Sequence, residues 1–328
     1  MSTMEPVLTV DGLRTHLFTR WGTTRAVDGV SFTLHRGETL GIVGESGSGK
    51  SMLALSLVRL TPEPAARILA GSVVLDGTDL LTLSEKRMRK LRGSAISMIL
   101  QDPHQSLNPV FTVGNQLAEA VHVHRPELAA AAVRERVLDG LRKVRMPAPE
   151  RRLRDYPHEL SGGMKQRIVG AMAISADPRV LIADEPTTAL DVTTQQRYLR
   201  LLREIQRETG VAIILITHDF GVVAEACDRV AVMYAGRIVE QGPVREIFDR
   251  PRHPYTRALL DSRPRRDVRL DRLPSIEGSP PSLVDPPPGC RFAPRCRLAA
   301  ERCTAEYPEL TAVAPGHETA CWRWEEVS

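Results

Sequence analysis

The chain has 328 residues, enough for one large domain or two modest ones. With 42% hydrophobic and 26% charged residues it has the composition of a globular protein, and its net charge of +4 is too small to point to nucleic acid as a principal partner. No apolar run reaches bilayer-spanning length, and the N-terminus, with Glu5 and Asp11 and no apolar core, does not read as a secretory signal, so a cytosolic protein is expected.

In chain order, residues 1 to about 250 read as alternating strands and helices. Strands are expected at Leu8–Leu13, Val30–Leu34, Thr39–Val43, Ser72–Leu75, Ala95–Leu100, Val180–Ala183, Val211–Ile216 and Val230–Tyr234. The opening strands, short and mixed with polar residues, predict an antiparallel sheet. Val180–Ala183 and Val211–Ile216 are apolar throughout, which predicts strands buried on both faces of a mostly parallel sheet. Helices are expected over Ser84–Leu91, Glu127–Val144, Ser161–Ser175 and Thr193–Glu208, with Ser84 and Ser161 as N-caps and Gly210 closing the last. The Ala- and Arg-rich stretch from about Gly114 reads as an inserted helical subdomain, about 114–176. After Arg250 the character changes: seven prolines between Ser262 and Gly289 predict an extended linker ahead of a cysteine-bearing tail.

The strongest local pattern follows the strand Thr39–Val43. Gly44, Glu45, Ser46, Gly47, Ser48, Gly49, Lys50 and Ser51 form G-x-x-x-x-G-K-[ST], the phosphate-binding loop, in its required strand-to-helix setting. The glycines let successive N–H groups point inward at an anion, and the helix opening near Lys50 adds its positive end. Lys50 is placed to reach the outer phosphates, Ser51 to ligate magnesium, and Met52 completes the segment beside the nucleotide. The apolar strand Val180–Ala183 ends in Asp184 and Glu185. Beside a phosphate loop, Asp184 can hold magnesium and Glu185 can polarise an attacking water as general base. Between the two lies Leu160-Ser161-Gly162-Gly163-Met164, a capped, glycine-bearing helix start suited to a phosphate.

With these segments in this order, residues 1 to about 250 resemble the ATP-binding subunits of ABC transporters. The resemblance implies an α/β P-loop NTPase fold of the ABC ATPase type: a mixed parallel sheet with an antiparallel β subdomain and a helical subdomain. It identifies Gln101 with the glutamine loop, a magnesium ligand and γ-phosphate sensor, and Leu160–Met164 with the signature motif. Ala189-Leu190-Asp191 matches the D-loop and His218 the switch histidine. Trp21 is the expected adenine-stacking residue, with Phe18 as the alternative. The catalytic set implied is Lys50, Gln101, Glu185 and His218, with Ser161, Gly162, Gly163 and Asp191 at the interface with a partner's ATP.

Two further segments, Gln101-Asp102-Pro103…Ser106-Leu107-Asn108-Pro109 and His253-Pro254-Tyr255-Thr256-Arg257, look like the oligopeptide/dipeptide importer branch, as does the tail. That branch implies a second ABC ATPase subunit in a heterodimer, two integral membrane permeases and an extracytoplasmic peptide-binding protein, with the chain peripheral at the cytoplasmic face of the inner membrane. Nickel or other small-solute importers of the same branch are the alternative. A soluble ABC ATPase without a membrane partner belongs to another class and usually carries two cassettes or a coiled-coil insertion, both absent here. The domains expected are an ATP-binding domain over 1–261, the linker over 262–289 and the cysteine-rich region over 290–328.

Cys290, Cys296, Cys303 and Cys321 fall in the last 39 residues, and in a reducing cytosol such a cluster favours a metal centre over disulfides. Gaps of five, six and seventeen residues supply the four thiolates that a 4Fe-4S cluster needs. Zinc is the alternative, without the usual short C-x-x-C-type knuckle. The tail, lacking a core of its own, is expected to fold around the metal as a separate unit.

Overall fold

A computed structural model describes residues 5–102, 106–188, 190–262 and 276–327. Pro103 and Ala189, both in the motifs above, and residues 263–275 of the proline-rich segment lie outside the described residues. The chain forms two compact units, each assembled from separate segments: one from 1–9, 33–39 and 74–216, the other from 10–32, 40–73 and 217–328.

In the first unit, β6 (Ile96–Ile99), β7 (Val180–Asp184) and β8 (Ala212–Thr217) lie in the order β8-β7-β6. All three are parallel, with Ile96 opposite Val180 and Leu181 opposite Ile213. Every residue of β7 and β8 is buried, as expected of apolar strands covered on both faces. Helices α3 (Val113–His124), α4 (Ala130–Lys143) and α6 (Gly162–Ile174) pack against one another as the helical subdomain. Val133, Val137, Leu138 and Leu141 form the buried stripe of α4 at helical spacing. The expected helix from Glu127 begins three residues later, because Arg125–Leu128 closes a turn around Pro126. Helix α7 (Val192–Thr209) ends at Gly210 in the left-handed conformation, as expected.

The second unit holds most of three strands, β1 (Pro6–Thr19), β2 (Gly22–His35) and β4 (Ala66–Leu75), side by side in the order β2-β1-β4. They are longer than the sequence suggests; β1 and β2 run fourteen residues each, because polar positions such as Thr15 and Asp28 are buried within them instead of ending them. The unit's other strands lie in the order β11 (Thr311–Ala314), β12 (His317–Thr319), β10 (Arg237–Pro243), β9 (Arg229–Tyr234), β3 (Thr39–Val43). β3 is parallel to β9, which turns through Ala235-Gly236 into antiparallel β10. Both turn residues have positive φ, 47° and 87°, the geometry of a two-residue hairpin.

The tail is not a separate unit. Its strands β11 and β12 extend the same sheet as β10, β12 pairing with β10 through Glu240–Thr319 and Gln241–Glu318. At four and three residues they are too short to show periodicity. The described end of the proline-rich segment, 276–289, has no helix or strand but is laid onto the body: Arg25 N–H donates to Leu283 O at 2.9 Å, and Thr24 bridges Val284. No helix among the described residues is long and apolar enough to cross a membrane.

Candidate active site

The phosphate loop in the second unit leaves the fully buried strand β3 and enters helix α1 (Lys50–Leu57). Gly49, the N-cap, sits at φ 104°, and a Cβ there would come within 2.0 Å of the Ala26 carbonyl oxygen. A Cβ on Gly44 would come equally close to the Met233 carbonyl oxygen. Both positions therefore require glycine. Lys50 Nζ donates to the carbonyls of Gly44 (2.8 Å) and Glu45 (2.9 Å), so the ammonium lies inside the curve of the loop. Ser46, Gly47 and Ser51 are exposed, while Ser48 is buried and Met52 partly so. Ser48 accepts from the Gly236 N–H through its carbonyl at 2.8 Å, tying the loop to the β9–β10 turn.

Glu45 carries the loop's side-chain contacts. Its N–H donates to the Tyr255 hydroxyl at 2.9 Å, and its carboxylate receives both ends of the Arg295 guanidinium, at 2.8 and 3.1 Å. Tyr255 is fully buried against Tyr234 and Phe292. Arg291 bonds Asp28 and the Ala235 carbonyl. Burial pushes the Asp28 pKa up, but Arg237 and Arg291 outweigh it and hold the carboxyl below its ordinary value. None of these partners of the loop was legible as a site residue.

In the first unit, Asp184 is buried at the end of β7 and Glu185 follows with φ 45°, an uncommon conformation for a non-glycine residue. That turn is held by the Glu185 N–H donating to Ile216 O at 2.9 Å. It presents the carboxylate to Gln101 Nε2 (3.2 Å) and Thr188 Oγ1 (2.9 Å), so two motif residues far apart in sequence meet, and Thr188 joins them unforeseen. Ser161 caps α6, its Oγ accepting from Met164 N–H. Asp191 caps α7 and accepts from both the N–H and the hydroxyl of Thr194, which hold its carboxyl below the ordinary value. A Cβ on Gly163 would meet the Thr194 methyl at 2.8 Å, so Thr194 brings the signature and D-loop residues together. Gly162 opens α6 beside Gly163.

His218 is exposed directly after β8, next to Asp219, which caps the following helix. Trp21 is 74% exposed at the β1–β2 turn, with the Arg20 guanidinium 4.6 Å from its ring; Phe18 is 42% exposed.

Cys290, Cys296, Cys303 and Cys321 line one small cavity together with His253 and Trp322. The Cys290 N–H donates to Cys303 O at 2.7 Å, and Gly289 lies so close that a Cβ would meet that oxygen at 2.3 Å. Among the described residues, no three His, Cys, Asp or Glu side chains are grouped closely enough to hold a metal ion. Burial pushes the Cys290 thiol up to about 11, Cys321 to about 12 and Cys296 above its ordinary value, so these three are protonated and poorly reactive at neutral pH.

Residues 27–188 match the family described as ABC transporter, and residues 239–303 match the oligopeptide/dipeptide transporter C-terminal region. The chain belongs to the ABC transporter ATP-binding proteins, in the oligopeptide/dipeptide branch. It is 54% identical over 98% of its length, and 96% of the relative's, to a probable peptide ABC transporter ATP-binding protein, y4tR, of Sinorhizobium fredii. It is 51% identical to the dipeptide transport ATP-binding protein DppD of Bacillus subtilis, covering 97% of this chain and 95% of that one. Among solved structures, the dimeric ATP-binding cassette MJ0796 bound to ADP and Pi matches with a TM-score of 0.64 at 26% identity, over 73% of this chain and 99% of that one. CbiO1 of Clostridium perfringens matches at 0.63 and 29%, over 75% and 91%. The chain is an ATPase of this family.

Proposed function

We propose that this ATPase drives an importer of oligopeptides or dipeptides. The observation that carries the reading is the pairing of Gln101 with Glu185, the glutamine loop on the general base, in a chain that also matches the peptide-transporter C-terminal region. Peptide or dipeptide transport in the names of both y4tR and DppD supports it.

In the proposed cycle the loop 44–51 holds the phosphates through its N–H groups and Lys50, while Trp21 stacks on the adenine. Ser51, Asp184 and Gln101 offer the hard oxygen donors that suit magnesium, which would neutralise charge on the phosphates. Glu185 takes a proton from the attacking water as its oxygen bonds to the γ-phosphorus and the bond to ADP breaks. His218 senses the γ-phosphate. Ser161, Gly162, Gly163 and Asp191 act on the ATP of a second, different ABC ATPase subunit, so closure of the pair follows ATP binding and release follows hydrolysis. Gln101 passes this closure to two integral membrane permeases, served by an extracytoplasmic peptide-binding protein, with the chain peripheral at the cytoplasmic face of the inner membrane. The ATP-binding domain spans 1–261, the proline-rich segment 262–289 and the cysteine-rich region 290–328.

The four cysteines match a 4Fe-4S cluster in number and donor type, soft sulfur ligands around one small cavity, and would have to draw closer together to ligate it, since among the described residues no three are grouped tightly enough to hold a metal. Zinc is the rival for the same four ligands. Such a centre would cross-link the tail.

Copurification from native membranes tests the transport reading. The expected complex contains this chain, one other ABC ATPase and two permeases, and its ATP hydrolysis rises with peptide-loaded binding protein. A complex with two copies of this chain and no other ATPase would refute the heterodimer, and stimulation by nickel instead of peptides would refute the cargo.

A further inference from the structure

The turn Ala293–Arg295 lies between Cys290 and Cys296, and its last residue reaches back 250 positions to the phosphate loop. The Arg295 side chain is 4% exposed, and its polar contacts all serve to orient it. Besides the forked pair with Glu45, Nη1 donates to the Tyr234 hydroxyl at 3.2 Å, Nε to the Glu277 carbonyl at 3.0 Å and Nη2 to the Ile276 carbonyl at 3.3 Å. A guanidinium held in this way presents its planar fork to one carboxylate in one geometry. Glu45 belongs to the very stretch of backbone whose N–H groups must converge on phosphate, and its own N–H is already committed to Tyr255. Two long-range contacts, one on the side chain and one on the backbone, therefore fix the residue after Gly44.

We propose that Arg295 is a positioning residue for nucleotide binding: through Glu45 it holds the phosphate loop in its binding geometry, with the cysteine-bearing segment as its anchor. The proposal rests on the reading that residues 44–51 bind ATP. Arg295 has its guanidinium nitrogens engaged by Glu45, Tyr234, Glu277 and Ile276. Its effect is to keep the loop from sampling conformations in which the N–H groups diverge. Because Arg295 directly precedes Cys296, whatever tethers that cysteine also tethers the brace.

The test is the affinity of the full chain for mant-ATP, measured by fluorescence titration for wild type, Arg295→Met, Arg295→Lys, Glu45→Gln and the Arg295→Met/Glu45→Gln pair. Arg295→Met is expected to weaken binding about tenfold, within the range of couplings between linked sites. Glu45→Gln should weaken it by a similar factor, and the pair should lose no more than either alone, since both remove one interaction. Arg295→Lys, a point charge without the fork, should restore part of the loss. In the intact ATPase Arg295→Met should raise KM for ATP and leave kcat within about twofold, as loss of uniform binding does. Additive effects, or an Arg295→Met affinity within twofold of wild type, would overturn the proposal, because a part played only in tail stability would lower the thermal midpoint without linking the two residues. If Arg295→Met does not fold, Arg295→Lys and Glu45→Gln carry the test, and unchanged affinity in both would overturn it. Wild-type chain that fails to bind mant-ATP would count against the ATP site itself and not against the brace.

Discussion

The Gln101 amide and the Thr188 hydroxyl both donate to the same oxygen of Glu185, Oε2, at 3.2 and 2.9 Å. Residues following two neighbouring parallel strands thus orient one carboxylate, and the left-handed backbone at Glu185 turns it toward them. Glu185→Gln keeps the shape and removes the basicity. It should retain ATP binding and lose turnover by about 10²–10⁴-fold, the usual contribution of a general base. Phosphate release at saturating ATP checks this, and near-normal turnover would remove Glu185 from that role.

Gly49 has no tolerance for a side chain. Alanine there meets the Ala26 carbonyl at 2.0 Å and must also hold φ near 104°. Gly49→Ala should weaken ATP binding at least about tenfold, given a cost of roughly 1–3 kcal/mol for the backbone conformation alone. Gly47→Ala is the contrast: its φ is also positive, but nothing lies within 4 Å of the added carbon, so its loss should be smaller. Equal losses in the two variants would show that close approach to Ala26 does not matter.

His253 is buried, and its Nδ1 accepts the Tyr255 N–H at 3.1 Å as the cap of the helix Pro254–Asp261. Burial lowers its pKa from 6.5 to about 3. Between those values only the unfolded chain takes up the proton, so stability is full above about pH 6.5 and declines as the pH falls toward 3. From pH 7.5 to 5 this one group should cost roughly 2 kcal/mol. Denaturant midpoints at the two pH values should therefore differ less in His253→Asn, which keeps an acceptor for Tyr255 and does not titrate. An unchanged difference would place the acid sensitivity elsewhere.

Protein purified without oxygen should be brown and contain iron and acid-labile sulfide, and serine at any of Cys290, Cys296, Cys303 or Cys321 should lower the iron content. Cys227, buried beside Gly41 and remote in sequence from the tail, is the control whose replacement should leave iron unchanged. Stoichiometric zinc without iron would exclude the cluster and leave the four ligands in place. Chelation of either metal should lower the thermal midpoint, since the tail would lose its cross-link.

What could be read from the sequence shared one property: it was local. The phosphate loop, the apolar strand ending in Asp184-Glu185 and the capped start at Ser161 are patterns within about ten residues, each tied to a backbone geometry. Strands β11 and β12 escaped because seven residues in two pieces carry no period. The partners of Glu45 escaped for a different reason. Arg295 and Tyr255 lie more than two hundred positions from it, and an arginine among several arginines bears no mark of the carboxylate it will meet. Thr188 was within three residues of Glu185, yet its hydroxyl gains meaning only once the backbone turns at Glu185.

The pairing of β12 with β10 has a consequence for solubility. β10 is an interior strand only because the last 39 residues of the chain supply its neighbour, and its buried Glu240 meets His317 Nε2 from that neighbour at 2.8 Å. A chain ending at Gly289 would leave β10 as an open edge with an unmatched row of backbone donors and acceptors, the template on which other strands add. Such a shortened chain should self-associate in a concentration-dependent way even where its phosphate loop is intact, because the seven-residue edge of β10 would replace the four-residue edge of β11 at which the sheet otherwise ends.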